Sequence, residues 1–587
     1  MIRSNLNPVA RRAGLLALLF AAATFAQLGD GIRGFDSDTL ATDRYIVQAG
    51  SLAEARHLAL EAGAAITHEL GIINAVAVDL SVEERARLQA VDGVRVLSDG
   101  EVTTVGKGGK PDKSTSSDPA TGYALFTQAS RLHSQGITGF GVTVAVLDTG
   151  SMSHVSLNKD SWGGWRYLAQ YDAIAGEVLS EINMAHLGTK RGGTGIYNND
   201  GSGHGTHVAS VAVSSAKGDD GHYNGIAPNA YLVSVKAFDD QGQGSYADVI
   251  RGIDWVVANH KKFGIRVLNL SLSAPPQSHY WEDPLNQAVM RAWEAGIVVV
   301  ASAGNTGPGA QTIGVPGNVP YVITVGAITD NYSPDAGHDD RLASFSAVGP
   351  TYEGFVKPEV VAPGGHILGL MNNSTAIGTE HPEFHDGGAY FTMSGTSQAA
   401  AVVTGVVALI LDAEPALTPD MVKCKLLNSA RPAIKPDGSL AYSVFQQGAG
   451  MVNAYDAVYN WNYHCANRGL DIAKDLSGEQ HYGGRANQAA DGSYYLMGLD
   501  GYTWTDDYSQ TDGYIWTDGF VWTDGYIWTD AYLWTDGTTG VDGYIWTDGY
   551  VWTDGYVWTD GFIWTDGYIW TDALTETMSI NVWVPQE

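Results

Sequence analysis

Four continuous runs of β-branched and aliphatic residues constrain the fold of this 587-residue chain more than anything else in it: VTVAVLD (142–148), AYLVSVKAF (230–238), IRVLNLSLS (265–273) and GIVVVASAGN (296–305). None alternates polar and apolar residues as a half-exposed strand would, and helical segments separate them. Such runs are buried on both faces, which predicts an α/β unit over residues 123–460, a parallel sheet covered by helices.

Composition divides the rest. Residues 42–105 alternate short β-like runs (45–47, 75–78 and 94–97) with charged helical stretches, a small α+β unit. The Gly/Ser/Pro/Lys segment 106–122 has no hydrophobic period and reads as a linker open to proteolysis. Residues 461–500 read as a second linker, 501–573 are a repeat, and 574–587 close the chain. At the other end Arg3, Arg11 and Arg12 precede an apolar run from about Gly14 to Ala26. Residues 1–26 therefore read as a secretory signal peptide; the run is shorter than the roughly 20 residues of a membrane span. Secretion, to the medium or the cell surface, is the expectation.

The two cysteines, Cys424 and Cys465, fit either one disulfide or two buried thiols. The formal net charge is −31, and beyond Arg485 seventeen acidic residues meet no Lys or Arg. A nucleic-acid partner is excluded, because phosphate contact needs a basic face.

Candidate chemistry gathers at four places. Asp148 ends an apolar strand run, at the sheet edge where open α/β folds place their crevices. His204 and His207 flank Gly-Thr at the start of a small-residue helix; their spacing also invites a metal, but the glutamate of an HExxH helix is missing, and no Cys/His cluster has zinc spacing. Asn305 follows a buried strand. Ser397, in SGTSQAA, begins a helix of alanines and valines, where a serine is otherwise an ordinary N-cap.

In this order AVLDTG, HGTHVA, ASAGN and SGTSQAA resemble the aspartate, histidine, oxyanion-hole and serine motifs of the subtilisin-like serine proteases, the subtilases or S8 peptidases. The segments GIAPNAYLVSVKAF, KPEVVAPG and GAGMVNAYDAV are similar as well, and residues 42–105 resemble the family's inhibitor-type propeptide. The resemblance implies a subtilisin-like three-layer α/β fold preceded by a small α+β propeptide, and an endopeptidase made as a self-processing zymogen. Ser397 is then the nucleophile, His204 its base, Asp148 the orienting carboxylate and Asn305 an oxyanion donor. Protein or peptide substrates would lie against Gly242, Gly244 and Tyr246 on one side and Ser271, Leu272 and Ser273 on the other, with Ala301 and Gly304 lining the pocket before the cut. The propeptide would act as an intramolecular inhibitor. No cofactor is implied for the chemistry; a structural calcium ion is, although no acidic loop has the EF-hand pattern. Two departures stand out. The Pro-His pair usual after GTS is absent, and Ser273 replaces a glycine common in the family. A binding protein built on an inactive protease scaffold is the alternative, which intact Asp148, His204, Asn305 and Ser397 oppose.

The last feature is YIWTDG, repeated with period six so that Trp recurs from Trp504 to Trp570, with Gln510 and Gly540 in two of the slots. An extended strand of even period keeps Tyr, Trp and Asp on one face. A β-rich repeat is expected, as a meander or as a solenoid, serving either as a spacer or as an aromatic and acidic surface for polysaccharide or cell-surface material.

Overall fold

The computed structural model describes residues 43–497, apart from positions 92, 188 and 490 and the segments 105–106, 109–117, 183–186, 190–195, 330–339 and 436–438. The signal peptide, most of the first linker, the hexapeptide repeats and the C-terminal segment lie outside the described residues. The chain divides into two compact units after Ser98.

In the first unit, strands Asp43–Gln48, Ala65–Leu70, Ala75–Leu80 and Arg95–Ser98 form an antiparallel sheet in the order second, third, first, fourth. Helices Leu52–Ala62 and Val82–Gln89 cross it. Each starts where a serine satisfies free helix-end amides: Ser51 accepts from Glu54 N–H, and Ser81 with Glu84 closes both halves of a capping box. The alternating residues of the sequence supply the core, with Val47, Val76, Val78 and Leu80 packed on Ala55, Ala59 and Leu88.

The second unit is built on a nine-stranded sheet. All four apolar runs become strands of it: Thr143–Asp148, Tyr231–Lys236, Ile265–Leu270 and Val298–Ser302. These and their neighbours Ile323–Thr329, Val360–Pro363 and Tyr167–Asp172 run parallel. The sheet is nevertheless mixed rather than parallel throughout. Glu177–Glu181 and Arg341–Leu342 pair antiparallel at its margins, the former through a tight turn after Asp172 that leaves no room for a crossover helix. Helices His204–Val213 and Thr396–Ala413 pack together on the sheet, and Tyr246–Phe263 and Pro284–Glu294 form a second pair. Thr396–Ala413 is apolar all round because it is enclosed, with every residue from Thr396 to Leu411 buried.

Residues 461–497 are not a linker. Cys465 is disulfide-bonded to Cys424 of helix Pro419–Ser429. The buried Asp475 carboxylate accepts the hydroxyls of Tyr280 at 2.6 Å and Tyr321 at 2.9 Å, and faces His481 at 2.8 Å. Ala486, Tyr494 and Leu496 pack against Val348 and Phe445. Tyr280 and Tyr321 lie 195 and 154 residues from Asp475, and Cys424 lies 41 from Cys465, so local composition carries no trace of these anchors.

Two histidines of this unit, one enclosed and one half-buried, are held in their neutral form. His207 is enclosed with Nε2 donating to the Ile367 and Phe391 carbonyls, and burial beside His204 pushes it down to about 3. His133 donates to Ile226 O at 2.8 Å, and burial pushes it down to about 4. Both lie below the ~6.5 of a free imidazole. Each thus contributes stability that is whole above about pH 6.5 and is lost as pH falls toward the folded values, since only the unfolded chain takes up these protons. The thermal midpoint is expected to be steady from about pH 8 to 7 and to fall continuously below about pH 6.5; a midpoint that rises over that lower interval contradicts it. The disulfide spans 41 residues and is worth about 4 kcal/mol in the chain-entropy view. Cys465→Ser, or reductant, is expected to lower the melting temperature of the whole second unit; unchanged melting would mean that the Asp475 anchor alone holds the segment.

Candidate active site

Asp148 is the last residue of its strand, so its carboxylate emerges at the carboxyl edge of the sheet. Oδ1 accepts the Thr149 N–H and lies 2.7 Å from His204 Nδ1, with both side chains buried. An imidazole whose Nδ1–H is held this way presents Nε2 as the basic nitrogen. His204 is the first residue of its helix. What fixes that helix end is Asp200, which sequence reasoning missed. Its Oδ1 accepts the Thr149 hydroxyl at 2.8 Å and Gly203 N–H at 2.7 Å; its Oδ2 accepts Thr206 N–H and hydroxyl at 2.8 and 2.6 Å. One buried carboxylate thereby ties the residue after Asp148 to the turn that carries His204. The acidic residue just before HGTH was the available signal.

Ser397 is the second residue of helix Thr396–Ala413, which packs on helix His204–Val213. The helix runs unbroken for 18 residues, as expected without the usual proline. Ser397 Oγ donates to Ser271 O at 3.1 Å, and Ser271 Oγ returns a bond to Ser397 O at 3.0 Å. Behind this pair Thr404 donates to Asn269, and Asn269 to Ser271 Oγ, each at 2.8 Å. Thr396 is the second residue missed. Its N–H and hydroxyl both donate to Asn305 Oδ1, at 3.0 and 2.8 Å, and its Oγ1 accepts Gly304 N–H at 3.2 Å. Asn305 is therefore locked through its oxygen while its buried Nδ2 has no hydrogen-bond partner. A fixed, unspent amide donor beside a serine at a helix N-terminus is suited to meet negative charge as it develops.

Beside this cluster two edges face each other, Gln243–Ser245 and Leu272–Ser273. Strand Glu101–Thr104 lies between them, antiparallel to both, with Val102 opposite Gly244, Thr103 opposite Gln243 and Ser273, and Thr104 opposite Leu272. Gly242 closes the turn before the first edge by donating to Asp239 O. Two residues differ from expectation. Tyr246 turns its ring into the core, donating to Asp283 at 3.0 Å, because it opens helix Tyr246–Phe263; only its N–H faces the middle segment, on Gly100 O. Ala301 is held inside the sheet between Leu270 and Thr324, so Ala303 and Gly304 take its place as the wall.

For a calcium ion the fit is poor. Among the described residues no three His, Cys, Asp or Glu side chains converge. The buried Glu359 carboxylate is already met by the ammonium groups of Lys357 and Lys423, which also take up the carbonyls of Val322, Pro320 and Tyr321.

Comparison with known proteins places this arrangement. The subtilase family model matches residues 139–450, more than half of the chain. The serine protease AprX of Bacillus subtilis is 40% identical over 329 residues, 55% of this chain and 67% of that protein. Subtilisin DY of Bacillus licheniformis is 33% identical over 56% of this chain and 94% of its own length. The crystal structure of fervidolysin from Fervidobacterium pennivorans, a keratinolytic enzyme related to subtilisin, is similar with a TM-score of 0.53 at 25% identity, over 72% of this chain and 61% of that one. The chain belongs to the subtilase family and is a subtilisin-type serine protease.

Proposed function

We propose that this protein is an exported endopeptidase, made as a precursor that removes its own residues 42–105, with Asp148, His204, Ser397 and Asn305 as its working groups. The observation that carries the reading is strand Glu101–Thr104, which occupies the groove between Gln243–Ser245 and Leu272–Ser273 as a peptide substrate would, by strand addition. Thr104 is paired with Leu272, whose neighbour Ser271 receives the Ser397 hydroxyl on its carbonyl. Further on, Lys107–Gly108 pairs with Met393–Ser394, just ahead of the nucleophile. The proposed cut, at the end of residues 42–105, falls between these two pairings in the chain.

Hydrolysis then proceeds by acyl transfer. Turning from Ser271, Ser397 Oγ gives its proton to His204 Nε2 and bonds to the carbonyl carbon; Asp148 stabilises the imidazolium through Nδ1–H. Asn305 Nδ2 and the Ser397 N–H, an amide the helix leaves free in its first turn, accept the oxyanion as hydrogen-bond donors. The carbon–nitrogen bond breaks as His204 returns the proton to the leaving amine, and water repeats the sequence to release the acid.

Ser397→Ala is expected to retain residues 42–105 on purification and to lose labelling by a fluorophosphonate, whereas the native chain begins at Gly106 by intact mass. A pure variant still cut at that bond means another protease matures it. Asn305→Ala is expected to lower kcat by roughly 10²–10³ with KM nearly unchanged, the magnitude known for the corresponding donor of subtilisin itself. A rise in KM at constant kcat would show instead that the amide binds substrate in the ground state.

A further inference from the structure

The slot beside Ser397 is narrower than its backbone requires. One wall is Ser271–Ser273 and the other Ala303–Gly304, joined where Ser302 Oγ donates to Leu272 O at 2.8 Å. Gly314 closes the far side. It donates to Ala303 O at 3.1 Å, while its neighbour Val315 exchanges hydrogen bonds of 2.7 and 2.9 Å with Ala274. At the mouth Gly304 N–H is tied to Thr396, and Asn305 follows. Every wall is pinned by hydrogen bonds to its backbone, so the slot cannot spread to suit a larger guest.

Gly304 and Gly314 leave a gap in the lining, and the gap is filled from across the slot. A Cβ on Gly314 would lie 2.0 Å from Ser273 Oγ, and one on Gly304 2.9 Å from it. The Ser273 hydroxyl therefore stands in the space that the two glycines open. Gly304 has φ +107°, where a side chain is strained whatever the room, so residue 273 is the position from which the slot can be deepened or filled.

We propose that Ser273 sets cleavage specificity by foreshortening this slot, admitting small side chains of the Ala or Val class at the residue before the cut and rejecting aromatic ones. The inference rests on the endopeptidase reading. A large side chain meets a clash that pinned walls do not relieve, and hydrophobic pockets discriminate by about 10- to 200-fold per methylene gained or lost.

The test is kcat/KM of the matured protein on peptide amides that differ only in Ala, Val, Leu or Phe before the cut. The native enzyme is expected to favour Ala and Val over Phe by at least about tenfold. Ser273→Gly is expected to shift the Phe-to-Ala ratio toward Phe by about 10- to 200-fold, and Ser273→Thr to shift the Val-to-Ala ratio the other way. Fluorophosphonate labelling of Ser397 is read alongside. Labelling with a ratio that Ser273→Gly leaves unmoved, or native cleavage after Phe as fast as after Ala, overturns the role of Ser273 alone. Absence of both labelling and hydrolysis in the matured native protein overturns the endopeptidase reading and this inference with it.

Discussion

The site depends on one interaction that takes no part in bond making, the double hydrogen bond from Thr396 to Asn305 Oδ1. It joins the helix that carries Ser397 to the strand end that carries Asn305, and it selects which end of the amide is spent. An asparagine amide has two donors and one acceptor oxygen. With that oxygen satisfied inside the protein, the buried NH₂ is left with its hydrogen bonds unmade. Leaving a buried donor unpaired costs roughly 1–3 kcal/mol. The fold carries that cost in the resting state, and in the proposed mechanism a developing oxyanion recovers it.

Asp200 plays the same part on the histidine side. Four hydrogen bonds saturate its carboxylate, so it has no lone pair to offer His204 and acts only by fixing where the helix begins. The division between the two aspartates is physical. Asp200 is spent on backbone amides and hydroxyls, whereas Asp148 gives Oδ1 to the imidazole and keeps a buried Oδ2 with no partner. The rigid parts, a parallel sheet edge and two buried helices, bring these loops together; the polar side chains set the last fractions of an ångström.

Local pattern reached part of this. The four apolar runs predict four strands, which the sheet places side by side, because burial on both faces leaves no polar positions to blur the signal. Asp148, His204, Asn305 and Ser397 stood out because each sits at an element boundary marked by glycine or a small residue. Thr396 and Asp200 were passed over because their importance lies in partners 91 and 51 residues away. The packed segment 461–497 was misread for the same reason: its short elements are held by Asp475, the disulfide and Ala486, none of which forms a periodic pattern. Ala301 illustrates the limit of counting along a strand, since one further residue separates a position inside the sheet from a position in the wall.

The groove and the slot do different work, and Ser271 couples them. A strand bound between Gln243–Ser245 and Leu272–Ser273 is recognised through its backbone, which every peptide shares. Affinity from that source does not depend on sequence. Choice of sequence must come from a side chain that leaves the ladder, and the pinned slot beside Ser273 is the proposed place to receive it. Ser271 lies at the junction: it adjoins the edge that aligns the strand, and it exchanges hydrogen bonds with both the hydroxyl and the carbonyl of Ser397. On the proposed reading, a peptide that pairs correctly with Leu272 and Ser273 is thereby delivered in register to the nucleophile, and one shifted by a residue would present its side chains to the opposite face. On that reading, register, set by two residues of edge strand, decides which bond meets Ser397.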